Sequence, residues 1–165
     1  MKISVRASAM LAGCTLAVAV VLSGCATTMD SGEAINVDEA GITLSGADTV
    51  AYWSLDRDAD AVIGSEELTT TWRSAEWRFS ATENRDAFAE VPADYAPEFG
   101  GYCAMAMADG NLAAPDPDAW TIYEGNLYVF ARKAGRDRWR EDPDRYIAAA
   151  RGHWGEKRQE LTGDS

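Results

Sequence analysis

An apolar run from Ala7 to Val21, with Lys2 and Arg6 ahead of it and Leu22-Ser23-Gly24-Cys25 behind it, decides where the folded part of this chain can begin. The run is short and rich in small residues, so it reads as the hydrophobic region of an export leader and not as a membrane span. A basic start, an apolar middle and a small-residue exit occur in that order, which sets residues 1–24 outside the fold as a signal peptide. The leader carries two basic residues and no acid. Its removal leaves 13 basic residues against 27 acids, a net charge of −14 in place of −12.

Leu22-Ser23-Gly24-Cys25 matches the bacterial lipoprotein box, an aliphatic residue and two small residues before the cysteine that is acylated. Cys25 is then the lipidation site, carrying palmitate-type chains into a membrane. Each buried acyl CH₂ contributes roughly 0.8 kcal/mol, and two or three chains hold firmly. The alternative is a plain secretory leader in which Cys25 is incidental; a single Arg6 argues against the twin-arginine route. By resemblance to bacterial lipoprotein sorting, Ala26 after the cysteine points to the outer membrane, with the domain facing the periplasm. That environment is oxidising, yet Cys14 leaves with the leader and Cys25 carries lipid. Cys103 stands alone, so no disulfide can staple the fold and packing must supply its stability.

The composition suits that demand. Hydrophobic residues make up 47% and include six Trp, enough for one packed core with much ring volume. No basic patch of useful size appears, so nucleic acid is excluded as a partner. Residues 25–38 are small and polar and read as a flexible tether, 39–155 as the domain, and 156–165 as a polar tail that frays.

Within the domain, Gly41 to Leu44 is a short β-like run and Arg57 to Gly64 a polar loop. Leu68 to Arg73 reads as a strand, turning at Ser74-Ala75-Glu76 and returning through Trp77-Arg78-Phe79. Ser80 with Glu83 three residues on fits a capping box, opening a helix that stops before Pro92. Tyr102 to Asp109 has helix formers with Gly110 as the stop. Trp120 to Tyr123, Glu124-Gly125-Asn126 and Leu127 to Phe130 form the strongest hairpin. Arg132 to Arg140 reads as a helix, and Asp142 with Pro143 opens the last one. The order predicts an α+β fold, a small antiparallel sheet built from two hairpins with helices packed on it.

Four stretches of this domain resemble the YHS domain family, in its secreted branch. They are Gly46-Ala47-Asp48-Thr49-Val50-Ala51-Tyr52-Trp53; Trp77-Arg78-Phe79 through Glu83 to Phe88; Pro92 to Tyr95 with Ala96-Pro97; and Phe99-Gly100-Gly101-Tyr102-Cys103-Ala104. Some members of that family carry cysteines and are thought to bind metal. This chain departs at those places: Ala51 stands in one, and Phe79-Ser80-Ala81 followed by Asn84 in the others. The resemblance therefore does not carry metal binding over residue by residue.

The candidate site is the stretch Gly100, Gly101, Tyr102 and Cys103, where paired glycines allow a positive φ or a close approach beside the lone thiol. The expected function is a non-enzymatic binding module for a small ligand or a periplasmic partner protein. Abundant aromatic residues could line an apolar cleft beside Gly100-Gly101. The alternative is a soft-metal site: Cys103 and Met107 are helical neighbours, and thiolate with thioether suits Cu(I), while Met105 would point elsewhere. Against it stands plain core packing, common for both residue types. A thiol enzyme would need a base, and His153 is the only imidazole. No Cys-X-X-Cys, nucleophile elbow or phosphate loop occurs. Asp56, Asp58 and Asp60 alternate like the start of a calcium loop, but Gly64 and Glu66 or Glu67 fall at the wrong offsets, so a solvated loop is expected.

Overall fold

A computed structural model describes residues 34–163 and shows an α+β architecture built on two separate antiparallel hairpins. The first joins β1 (Ser65–Trp72) to β2 (Ala75–Phe79). Its turn is the two residues Arg73 and Ser74, both at positive φ (52° and 61°), so Ala75 and Glu76 belong to the strand and not to the turn. Period-two burial explains the placement. Ala75, Trp77 and Phe79 all point inward, and a one-residue slip would turn that whole set outward. The ring of Phe88, from α1 (Thr82–Glu90), closes over them, 4.8 Å from Trp77 and 5.1 Å from Phe79. A single turn, α2 (Pro92–Tyr95), follows with Pro92 at its first position.

The second hairpin joins β3 (Asp116–Tyr123) to β4 (Asn126–Phe130) through Glu124-Gly125. Both of its faces are covered, which is why Leu127 to Phe130 is a continuous apolar run. Leu127, Val129 and Trp120 pack with Leu44 and Tyr52 on one side. Tyr128 and Phe130 pack on the other with Phe99, Met107, Trp139 and Ile147. Those last residues come in turn from the bend before α3 (Ala104–Ala108), from α3 itself, from α4 (Lys133–Trp139) and from α5 (Pro143–Thr162). Burial on that side pushes the Tyr128 hydroxyl up to about 12.

Three expectations are corrected. The capping box fails: Ala81 caps α1 without a side-chain bond, because the Ser80 hydroxyl donates instead to the Asp48 carboxylate at 2.6 Å. The tether does not reach Asp38. Ile35 packs with the Trp77 cluster, Asn36 donates its N–H to the Gly100 carbonyl at 2.8 Å, and Val37 bridges Thr43, so residues 34–38 belong to the domain. The last helix runs on through most of the expected polar tail to Thr162, where Gly163 at φ 70° closes it.

The acids expected in a solvated loop also have partners. Asp58 meets Arg140 at 2.6 Å and Arg136 at 3.0 Å, and Asp60 meets Lys133 at 2.8 Å, so the 56–60 loop is clamped to α4. The hydrogen bond from Arg140, reinforced by the charges of Arg140, Arg136 and Arg57, holds the Asp58 carboxyl below its ordinary value of 3.8. A depressed carboxyl contributes stability that is present above that value and lost as pH falls through the lowered one. Thermal melts below about pH 4 are therefore expected to fall less steeply in Asp58→Asn than in the parent. Parallel acid profiles would show that the clamp does not couple to folding.

Candidate functional site

The bend that carries the candidate residues is built from three successive left-handed residues, Phe99 (φ 54°), Gly100 (φ 62°) and Gly101 (φ 78°). Glycine adopts this region freely; Phe99 does so under strain. Its ring is held in the core, 6.1 Å from Tyr128 and 6.3 Å from Trp154, and that packing keeps the bend closed. Gly100 is required for a second reason. A Cβ there would fall inside contact distance of the Ala34 carbonyl oxygen, because the segment entering the domain lies directly on it.

Beyond the bend, Cys103 caps the five-residue helix α3. Its N–H donates to the Ala113 carbonyl at 2.9 Å, and its Sγ accepts the Ala106 N–H at 3.4 Å. The residue is only 4% exposed, yet it forms part of the wall of a cavity of about 530 Å³. Met105 lies on the same wall, and Arg132, Gly135 and Arg138 line the cavity from around α4, with Asp109 and Asn111 completing the lining. Met107, at 0% exposure, is sealed in the core cluster to which Cys103 also belongs. The residue one turn from the thiol thus packs inward, and the nearer methionine shares its cavity.

The four candidate residues do not make one opening. Gly100 lines a different cavity of about 220 Å³, with Ala34, Trp72 and Trp154. Gly101 is buried against Pro97, and Tyr102 is half-buried on Trp154, ring centroids 6.3 Å apart. Cys25 lies outside the described residues. His153 is exposed on α5 against Gly110 and does not line the Cys103 cavity.

An aromatic cleft does form, but not beside the paired glycines. Tyr52, Trp53, Trp120, Tyr123 and Trp139 wall a cavity of about 430 Å³, with Arg57 and Arg140 among its lining. Burial, with Asp118 next in importance, raises the Tyr52 phenol far above its ordinary value, so it stays protonated and donates to the Pro117 carbonyl at 2.8 Å. The abundance of aromatic residues pointed to a cleft, but the sequence offered no signal for its place, since its residues come from three separated segments and each alone reads as core.

The positions where the resemblance places thiols converge on one carboxylate. Asp48 is 0% exposed. Its Oδ1 accepts the backbone N–H of Val50 at 3.0 Å and of Ala51 at 3.1 Å. Its Oδ2 accepts the Ser80 N–H at 2.8 Å, the Ser80 hydroxyl at 2.6 Å and the Asn84 amide at 2.7 Å. Ala51, Ser80 and Asn84 thus surround Asp48 as hydrogen-bond donors. That set suits a buried carboxylate and lacks the thiolates a soft cation needs, so the residues present do not fit the metal that the resemblance would imply. Among the described residues no three His, Cys, Asp or Glu side chains gather as metal ligands would. No described helix is long and apolar enough to cross a membrane. Comparison with family models, with characterised proteins and with solved structures found no match.

Proposed function

We propose that this protein is a non-enzymatic binding module of the bacterial cell envelope, tethered by lipid on Cys25, that takes a small ligand in the cavity beside Cys103. One observation carries the reading. The lone thiol of the domain is nearly buried, yet it stands in the wall of a cavity of about 530 Å³, a size suited to a small molecule, with Arg132 and Arg138 also in its lining. The sulfur is engaged as a hydrogen-bond acceptor within its own helix turn, and the cavity lining contains no imidazole to activate it. The YHS-like reading of the domain has its own support: two of the four resembling stretches, 46–53 and 77–88, are tied to each other through Asp48.

The test uses the mature domain and a library of small polar metabolites screened by ligand-observed NMR. Ligands of this cavity lose binding when Cys103 is capped with N-ethylmaleimide, while circular dichroism stays unchanged. If every binder ignores the cap, the cavity is not the site. The envelope location is tested by growth with labelled palmitate: label enters the parent and not Cys25→Ala, and equal labelling of both overturns the anchor.

A second reading, Cu(I) held by Cys103 and Met107, is favoured by their sharing one buried cluster a helical turn apart, with the Met107 N–H on the Cys103 carbonyl at 2.9 Å. Stoichiometric Cu(I) binding under reducing conditions, lost in both Cys103→Ser and Met107→Leu, is its expected result. Binding untouched by Cys103→Ser removes it.

A further inference from the structure

The aromatic cleft has two arginines and, among the described residues, no acid in its lining. The chain as a whole has a net charge of −12. At the cleft, however, three guanidiniums meet two carboxylates. Asp58 Oδ1 is shared by Arg140 at 2.6 Å and Arg136 at 3.0 Å. Asp137 meets Arg136 at 2.9 Å and Arg140 at 3.7 Å. Arg57 is left with Asp58 alone, and only at 4.0 Å, with 76% of its side chain exposed. Two guanidiniums, Arg57 and Arg140, therefore line a cavity walled by rings, and no acid lines that cavity among the described residues. The nearby carboxylates are turned to other work: Asp144 accepts the Tyr123 hydroxyl at 3.0 Å, and Asp116 and Asp118 lie near the Tyr52 hydroxyl, beside the carbonyl that accepts it.

We propose that this cleft binds a small planar aromatic carboxylate, its ring against Trp53 and its neighbours and its carboxylate on Arg57. The cavity, about 430 Å³, has room for a fused ring. Trp53 is 38% exposed, which leaves its ring open to stacking. A guanidinium meets a carboxylate through two parallel N–H···O bonds, and Arg57 has the free donors for it. Arg140 is spent: its three nitrogens already bond Thr121, Asp58 and the Trp120 carbonyl. A ringless anion would leave the aromatic walls unused, and a neutral ring would leave the Arg57 donors to solvent.

The site shares no lining residue with the Cys103 cavity, so the two readings stand or fall separately. The probe is 2-naphthoate, with 2-naphthalenemethanol as its neutral counterpart, titrated against the mature domain by saturation-transfer NMR. Saturable binding of the carboxylate is expected, with the alcohol about tenfold weaker or more, as loss of a charged hydrogen bond implies. Arg57→Ala, an exposed substitution that leaves the fold intact, should weaken 2-naphthoate by about tenfold, and Arg138→Ala should leave it unchanged. No saturable binding, equal affinity for acid and alcohol, or indifference to Arg57→Ala each overturns the proposal. Sensitivity to Arg138 in place of Arg57 overturns it too and moves the anion to the Cys103 cavity.

Discussion

Asp48→Ala is expected to destabilise the domain by about 3–5 kcal/mol. The carboxylate accepts five hydrogen bonds and none of its surface reaches solvent. Two of the donors can find water once it is gone, since Ser80 is exposed and Asn84 half-buried. The backbone N–H of Ala51 is buried and cannot, while those of Val50 and Ser80 are part-buried. A buried donor left without a partner costs about 1–3 kcal/mol, and each part-buried one adds a smaller amount. A domain of this size holds roughly 5–15 kcal/mol in total. The loss is also structural, because Asp48 hydrogen-bonds the turn at 48–51 to Ser80 and Asn84 at the start of α1. Asp48→Asn keeps one oxygen but turns an NH₂ toward donors, and it should lie between parent and Ala. Urea unfolding followed by circular dichroism measures the series. An Ala variant within about 1 kcal/mol of the parent would mean that the carboxylate is not what joins these segments.

Trp139→Ala should cost about 3–5 kcal/mol, and Trp139→Phe much less. The indole sits among Tyr128 at 4.9 Å, Phe130 at 5.4 Å and Tyr123 at 5.8 Å, so its removal opens a cavity between the second hairpin and α4. Its N–H is buried with no hydrogen-bond partner among the described residues. Phe therefore retains the ring contacts and removes a polar group that the fold leaves unsatisfied, which offsets part of the lost area. Both variants are read by urea unfolding at constant m-value. Equal losses in the two would sink the packing account and require a partner for the indole nitrogen.

Local order was legible wherever a few adjacent residues carried the whole signal. Asp142-Pro143 opens α5 as expected, although Asp142 makes no side-chain capping bond, because the fixed φ of Pro143 acts on its own turn. The hairpin at Glu124-Gly125 was equally clear, with apolar runs on both sides of a glycine that takes a positive φ. The first hairpin was legible in outline but misplaced at its turn. Neither Arg73 nor Ser74 belongs to the residues that usually mark positive φ, and the register is set by the inward row Ala75, Trp77 and Phe79.

What the sequence by itself determined, then, was the α+β order of elements, two hairpins and the short helices between them, because backbone preference and period-two or helical patterning act within a few positions. The tertiary structure alone decided which side chains serve which partners. Ser80 left its own helix for a carboxylate 32 positions away. Gly64, which read as the end of a polar loop, is where the backbone of Arg78 and Phe79 passes too close for any Cβ. Gly100 received the entering segment at Ala34 in place of an open bend, and the aromatic cleft formed from residues 52–57, 120–123 and 139–143. Each of these is a contact between distant segments, settled by which arrangement buries the rings and leaves the fewest donors unpaired, and no short window of sequence holds both partners.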